Sequence, residues 1–187
     1  MLQVRTIRLR DAIRKGISMP DDSQRPPASN SESLWRSKKW QHHTQLLLNS
    51  FEKWVGRPLI RRSTAEADAQ TLFFSPFVVV AHGREEDPLL NYGNQAALEL
   101  WEMSLNELLG TPSRRTAESV HRSERAELLR RTKEFGFIDD YSGVRISSSG
   151  RRFQISRAIV WNVVDADDVY VGQAAEFSVW EPLAASE

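Results

Sequence analysis

The chain has 187 residues, a length that predicts roughly one folded domain with an appendage. Its 25 Lys and Arg residues balance 25 Asp and Glu residues, and a zero net charge argues against a general binder of nucleic acids or anionic membranes. The chain has no cysteine. This excludes disulfides, thiolate metal sites and iron–sulfur clusters, and it also excludes a cysteine nucleophile or photoadduct. No apolar run approaches the roughly 20 residues of a membrane span, and no signal-peptide core follows the start. The composition therefore predicts a cytoplasmic protein with one core.

Residues 1–32 differ in composition from the rest of the chain. The first 18 positions are rich in basic residues, and a polar stretch with prolines follows around Pro26. A segment of this kind cannot bury enough apolar surface to order itself, so we predict a disordered tail. Two other interpretations stay open. Residues 1–18 are also compatible with an organelle-targeting peptide, and Met19 or a later residue could be the true start instead of Met1.

An N-terminal helical segment is predicted over residues 33–60, with the helix itself ending near residue 55. Large apolar residues recur there at spacings of three and four, and Gly56 with Pro58 supplies a stop signal. Such a stripe must pack either on the domain that follows or on its copy in a second chain. The residues assigned to dimer or partner contacts are Trp40, Leu47, Phe51 and Trp54.

The main domain is predicted from residue 70 to residue 182, after a polar segment, 61–70, that predicts a linker or a further helical turn. A buried strand at 77–81 and a short second strand come first. Asn94 is a plausible N-cap of the next helix, and Ser104 to Glu107 fits a capping box. A further helix is predicted from Ser123 to Gly136.

Three antiparallel strands close the chain, with a hairpin turn at residues 148–150 and another at 165–168. Parity predicts one apolar face on the middle strand, formed by Phe153, Ile155, Ile159, Trp161 and Val163. On the last strand parity places Gln173 beside Ala175 and Phe177, facing the inside. The predicted class is α+β, a five-stranded antiparallel sheet flanked by short helices and preceded by an N-terminal amphipathic helix.

Several stretches resemble known proteins. The run from Tyr92 to Trp101, followed by Ser104 to Gly110, resembles the N-terminal core motif of PAS sensor domains, although Glu102 stands where many of them have glycine. The stretches 76–83 and 137–153 resemble the MEKHLA family, a PAS-like domain found alone in bacteria and at the end of plant class III homeodomain–leucine zipper regulators. The resemblance covers about residues 40 to 181. It implies a PAS-like fold and a sensory or regulatory role.

No nucleophile–base–acid set stands out, so we predict that the chain is not an enzyme. Adjacent His42 and His43 point about 100° apart on a helix and do not readily share a metal ion, so no metal site is predicted. No cofactor is obligatory. Flavin stays open through the resemblance to PAS photosensors, and haem stays open through His121, since some PAS domains bind haem by one histidine after the short helices.

A polar residue is expected inside the cup between the sheet and the short helices. A buried glutamine costs about 1–3 kcal/mol unless its amide is hydrogen-bonded, and flavin-binding PAS photosensors use a glutamine on the corresponding strand. Gln173 is therefore either satisfied by backbone, Tyr141 or Asn94, or a polar anchor for a small ligand. The candidate ligand-binding residues are Gln173, Trp161, Phe153, Trp101 and Asn94.

Three hypotheses about function follow. The first is a sensory or regulatory module that binds a small ligand or a partner protein and signals through protein–protein association, most simply as a homodimer. The second is a ligand-free interaction domain with a fully packed core. The third is a small-molecule enzyme on a cone-shaped α+β fold. Neither direct nucleic-acid binding nor membrane binding is expected.

Overall fold

The computed structural model describes residues 34–117, 131–132 and 134–184. The tail predicted for residues 1–32, most of the helix predicted from Ser123, and His121 lie outside the described residues. The helices are α1 (Lys38–Val55), α2 (Ala65–Phe73), α3 (Gln95–Trp101) and α4 (Leu105–Leu108), with a 3-10 helix at Ser113–Thr116. The strands are β1 (Val78–His82), β2 (Leu90–Gly93), β3 (Phe137–Ile146), β4 (Arg152–Val164), β5 (Tyr170–Phe177) and β6 (Val179–Pro182).

The strands form one antiparallel sheet in the order β2-β1-β5-β4-β3. The short β6 continues the direction of β5 and pairs with the first part of β4. The predicted class, a mixed fold with an antiparallel sheet of five strands and flanking short helices, is confirmed, and β6 is an addition that the sequence did not indicate. It was missed because Ser178 interrupts what sequence alternation shows as one strand.

Local capping explains where the first two helices begin and end. The Ser37 hydroxyl accepts a hydrogen bond from the Trp40 N–H, and Gly56, in the left-handed conformation with φ 76°, ends α1 as predicted. The segment 61–70, predicted as a linker or a further helical turn, contains the first part of α2, where the Thr64 hydroxyl accepts a hydrogen bond from the Ala67 N–H. A threonine cap followed by alanine-rich helix formers was the signal for it.

The buried carboxylate of Asp68 ties α2 to α1. Burial opposes its ionisation, but hydrogen bonds from Gln45, Arg62 and the Ser63 N–H hold the pKa of Asp68 below its usual value. The Arg62 guanidinium also donates to the Gln45 side chain of α1 at 2.6 Å. This network fixes the connection between the two helices.

Both faces of the sheet are covered by helices. The strand register shows which residues lie on each face. We call the face that packs against α1 the outer face; it carries Val79, Ala81, Trp161 and Ala174. The opposite face packs against α3, and we call the space between them the cup. The inner face carries Val80, Ala175 and Phe177 on its central strands.

The expectation that Phe153 and Trp161 share a face is wrong. Phe153 and Ile155 pack in the α3 cluster of the inner face, whereas Trp161 and Val163 pack in the α1 cluster of the outer face. The cause is an irregularity in the middle of β4, where Arg157 adopts φ 54° and the register with β3 shifts. One extra residue in a strand exchanges the faces of everything that follows it.

Gly172 of β5 lies very close to the backbone of β1. A Cβ built at this position would lie 2.2 Å from the His82 carbonyl oxygen, and a backbone atom cannot move away alone. We expect Gly172→Ala to lower the free energy of unfolding by about 3 kcal/mol, because β1 and β5 must separate. Urea denaturation followed by circular dichroism measures this loss.

Gly83→Ala is the matched control for this prediction. The three atoms nearest to its Cβ would all belong to the end of the flexible Glu85 side chain, which can turn aside. A Gly172→Ala variant as stable as Gly83→Ala would contradict the close approach of the two strands.

Candidate functional site

Aromatic side chains line one end of the cup. Trp101, at the end of α3, lies edge-on to Phe153 with ring centroids 5.6 Å apart and edge-on to Phe177 at 6.1 Å. All three are buried, and Leu100 and Ala97 complete the packing from α3. Tyr141 also packs against this cluster, and its hydroxyl accepts a hydrogen bond from Arg145.

Gln173 occupies the other end of the inner face. It pairs with His82 of β1 on one side and with Asn162 of β4 on the other, so three polar residues form a row across the sheet. Gln173 is 6% exposed, and its amide is not among the completely buried side-chain polar atoms that lack a hydrogen-bond partner. Neither sequence-based partner reaches it, because the Tyr141 hydroxyl accepts from Arg145 at 2.9 Å and Asn94 is bonded elsewhere.

The indole N–H of Trp101 is a second buried polar group on the cup side. The Nε1 atom is fully buried and has no hydrogen-bond partner in the described part of the chain. Tryptophan can only donate at this atom, so an acceptor is what the group lacks.

Asn94 links three parts of the fold and has no capacity left for a ligand. Its Oδ1 accepts from the N–H groups of Val79, at 2.9 Å, and Ala97, at 3.1 Å. Its Nδ2 donates to the Phe77 carbonyl, the Ser75 hydroxyl and the Leu72 carbonyl. The predicted N-cap is confirmed, and the same side chain also hydrogen-bonds to β1 and to the end of α2.

The five candidate ligand-binding residues therefore divide into two groups. Gln173, Phe153 and Trp101 face the cup. Trp161 lies on the outer face, where its Nε1 donates to the Leu47 carbonyl at 3.2 Å. Asn94 has a structural role, because its side chain hydrogen-bonds to the backbone of the fold. The sequence reasoning did not select His82 and Asn162, which flank Gln173, because the register between strands cannot be deduced from one strand alone.

The four residues assigned to dimer or partner contacts pack against the sheet of their own chain. Trp40 stacks on Tyr92 with centroids 4.8 Å apart, and Phe51 lies edge-on to Trp161 at 5.0 Å. Leu47 is fully buried in the same layer, and the half-buried Trp54 donates its Nε1 to the Asn162 carbonyl at 2.8 Å. In this arrangement α1 covers the outer face.

Among the described residues, no three His, Asp or Glu side chains are grouped so that they could hold a metal ion. In the same part of the chain, no helix is both long and apolar enough to cross a membrane.

A family model for the MEKHLA domain matches residues 41–182, which is more than half of the chain and runs from α1 to the end of β6. The chain belongs to the MEKHLA domain family. The resemblance expected from the sequence is thus confirmed, and the match begins inside α1. No curated protein matches this MEKHLA domain.

Solved structures share the fold of this MEKHLA domain. A PAS domain of a protein from Colwellia psychrerythraea has a TM-score of 0.53 and 11% sequence identity, covering 63% of this chain and 95% of that one. A light-oxygen-voltage domain studied with a flavin analogue has a TM-score of 0.47 and 16% identity, over 63% of this chain and 85% of that one. A mutant of Vivid has a TM-score of 0.47 and 15% identity, over 69% and 96%. The first of these establishes the PAS-like fold.

Proposed function

We propose that this MEKHLA domain is a sensory or regulatory module that binds a small ligand in its cup and signals through protein–protein association. The observation that carries the proposal is the position of Gln173, a buried residue whose polar side chain faces the cup between His82 and Asn162. A ligand that hydrogen-bonds to this amide gains a directional contact, and one such bond contributes about 0.5–1.5 kcal/mol net. Ligand pockets are mostly apolar with a few convergent polar groups, which matches the residues of the inner face.

Strand β4 offers a route from the cup to α1. Asn162 lies beside Gln173 on the inner face, yet its main-chain carbonyl accepts from the Trp54 indole of α1. The preceding residue, Trp161, contacts Leu47 and Phe51 of the same helix. A ligand that moves this part of β4 therefore changes the surface against which α1 packs. We propose that α1 then leaves the outer face, and that a partner protein or a second copy of the chain binds there instead.

Replacing Gln173 tests the anchor. We expect Gln173→Leu to lose at least tenfold in ligand affinity while stability changes only modestly, because the leucine fills the space without offering an amide. Native mass spectrometry of the purified full-length chain, compared with its denatured mass, reports the bound species. Thermal-shift measurements with flavins, haems, other tetrapyrroles and lipids supply added ligands.

Gln95→Leu is the matched control, since Gln95 is exposed on α3 and undergoes the same chemical change. Equal ligand retention by both variants would argue that Gln173 is only a core residue. A wild-type chain that carries and binds none of these molecules would contradict the sensory proposal.

The ligand-free interaction domain is the second candidate. The edge-on contacts of Trp101 with Phe153 and Phe177 favour it, because these rings fill one end of the cup with protein. In that case Gln173→Leu changes stability without changing any bound species. No catalytic activity is proposed, and the cytoplasmic location remains a prediction from composition.

A further inference from the structure

We propose that Arg145 binds the carboxylate of a small molecule whose apolar body lies against Phe153 and Trp180, at the aromatic end of the cup. This site is separate from the one proposed at Gln173. Arg145 pairs with Phe153 and Gln173 pairs with Asn162, and these two partners are nine residues apart on β4, or about 30 Å at the rise of an extended strand. Failure of one site therefore does not decide the other.

The side chain of Arg145 lies on the inner face of β3. Arg145 pairs with Phe153 of β4, which packs in the α3 cluster, and directly opposite residues of an antiparallel pair share a face. Tyr141 packs in the same cluster. The stretch 137–153, by which the sequence resembles the MEKHLA family, thus places Tyr141, Gly143 and Arg145 side by side on the inner face.

Tyr141 holds the Arg145 guanidinium in one orientation. Nη2 donates to the Tyr141 hydroxyl at 2.9 Å, and the Cζ atom lies 5.2 Å from the centroid of the Tyr141 ring. Nη1 donates to the Val144 carbonyl at 3.0 Å. Gly143 leaves room for this arrangement, since a Cβ there would lie 2.6 Å from the Tyr141 hydroxyl oxygen and 3.2 Å from Nη1. An arginine oriented in this way loses little further freedom when it binds an anion.

Arg145 has no acidic partner among the described residues. None of the ion pairs between described residues includes it, whereas Arg151 of the same hairpin pairs with Glu102 at 3.0 Å. The hydrogen bonds to Tyr141 and Val144 use two of the five N–H donors of the guanidinium, and Arg145 is only half-buried. A carboxylate that arrives from solvent can pair with the remaining donors, and carboxylates form two parallel hydrogen bonds with a guanidinium.

The surroundings of Arg145 favour a ligand with an apolar body. Trp180 of β6 pairs with Ile155 and lies edge-on to Phe153, with ring centroids 6.1 Å apart. Trp180 is 44% exposed, so aromatic surface beside the buried Phe153 is open to a ligand. Covering such surface is favourable for an apolar group, whereas a strongly hydrated phosphate would lose hydration there. One arginine also balances one negative charge, which fits a monocarboxylate.

The spacing of the strands sets the length of this ligand. β3 and β6 flank β4 on opposite sides, so Arg145 and Trp180 are two strand spacings apart, or about 10 Å. A ligand that meets both residues carries its carboxylate at one end and an aromatic ring at the other, with a short chain between them.

Paired probes of this shape test the site. 4-Phenylbutanoate carries a carboxylate, and 4-phenylbutanamide has the same body with a neutral amide in its place. We expect the full-length chain to bind the carboxylate about tenfold more tightly than the amide, because hydrogen bonds between two charged groups are the stronger ones. Arg145→Gln should abolish this preference and leave the affinity for the amide unchanged, since glutamine lacks the charge. Isothermal titration calorimetry measures the dissociation constants.

Arg61→Gln is the matched control, because it removes the same charge at an exposed position between α1 and α2. It should keep the wild-type preference. Arg145→Lys is a second variant for the case that Arg145→Gln does not fold, which thermal unfolding followed by circular dichroism reveals. It keeps the charge but cannot form two parallel hydrogen bonds, so about a threefold loss of the preference is expected.

Equal affinity of the wild-type chain for both probes would overturn the inference. A wild-type preference that survives in both Arg145 variants, or one that is lost equally in Arg61→Gln, would overturn it too. If neither probe binds while native mass spectrometry finds a small molecule that Gln173→Leu releases, the Arg145 site is wrong and the proposed function stands. If the carboxylate binds through Arg145 while Gln173→Leu and Gln95→Leu retain every ligand equally, the Arg145 site is supported and the anchor at Gln173 is wrong.

Discussion

Leu47→Glu is expected to abolish the docking of α1 on the sheet and to lower the free energy of unfolding by more than about 4 kcal/mol. Leu47 is fully buried on the outer face, and its main-chain carbonyl accepts the Trp161 indole N–H. A carboxylate at this position loses its hydration inside an aromatic layer. A loss of this size is a large part of the roughly 5–15 kcal/mol that stabilises a typical domain. Urea denaturation and size-exclusion chromatography measure the effect.

The pH dependence of the stability of Leu47→Glu distinguishes the effect of the buried charge from the effect of the changed side-chain shape. Burial raises the pKa of the introduced carboxyl, so the folded variant binds a proton more readily than the unfolded chain does. Relative to wild type, its stability should therefore rise as the pH falls from about 7 to about 5, and decline again as the pH rises. His42→Glu, on the exposed side of α1, is the control and should change stability by less than about 0.5 kcal/mol. A Leu47→Glu variant that behaves like His42→Glu would show that α1 does not cover the sheet.

Features decided by neighbouring residues were predictable from the sequence. The Asn94 cap, the capping box of Ser104 and Glu107, and the end of α1 at Gly56 all depend on contacts within four residues. The backbone groups left free at a helix end must find a partner nearby, so a few residue types mark these places. The PAS-like order of strands and helices followed from these boundaries together with the family resemblance.

Features decided by pairing between distant strands were not predictable. Near Arg157, the β4 side chains that would continue on the inner face pass to the outer face. The cause is the way β4 pairs with β3 on one side and with β5 and β6 on the other. Simple alternation therefore put Trp161 into the cup, although it lies under α1. The register of β5 with β4 also shifts between Gly172 and Tyr170, and Val171 packs in the α1 cluster. Gln173 lies beyond this shift, opposite His82 and Asn162, on the face that parity with Ala175 and Phe177 predicts.

The candidate site was predictable to the extent that residue chemistry decides it. A glutamine on an inward-facing strand position is conspicuous because buried amides need partners. The unpaired indole N–H of Trp101 is different, because an aromatic residue on a helix face is normally explained by core packing. That this N–H lacks a partner becomes visible only when the packing of Trp101 against Phe153 and Phe177 is known, and both of these residues lie on strands more than 50 residues away.

Asn94→Ala is expected to lower the free energy of unfolding by about 4 kcal/mol, because Asn94 does much more than cap α3. Losing a helix cap alone costs roughly 1 kcal/mol. The same change leaves the buried Val79 N–H and Phe77 carbonyl without the bonds that Asn94 supplies, at about 1–3 kcal/mol for each group. Asn106→Ala, at an exposed position of α4, is the control and should stay within about 0.5 kcal/mol of wild type. Thermal and urea unfolding distinguish a loss of about 1 kcal/mol, expected from a cap alone, from the larger loss expected if Asn94 joins β1, α2 and α3.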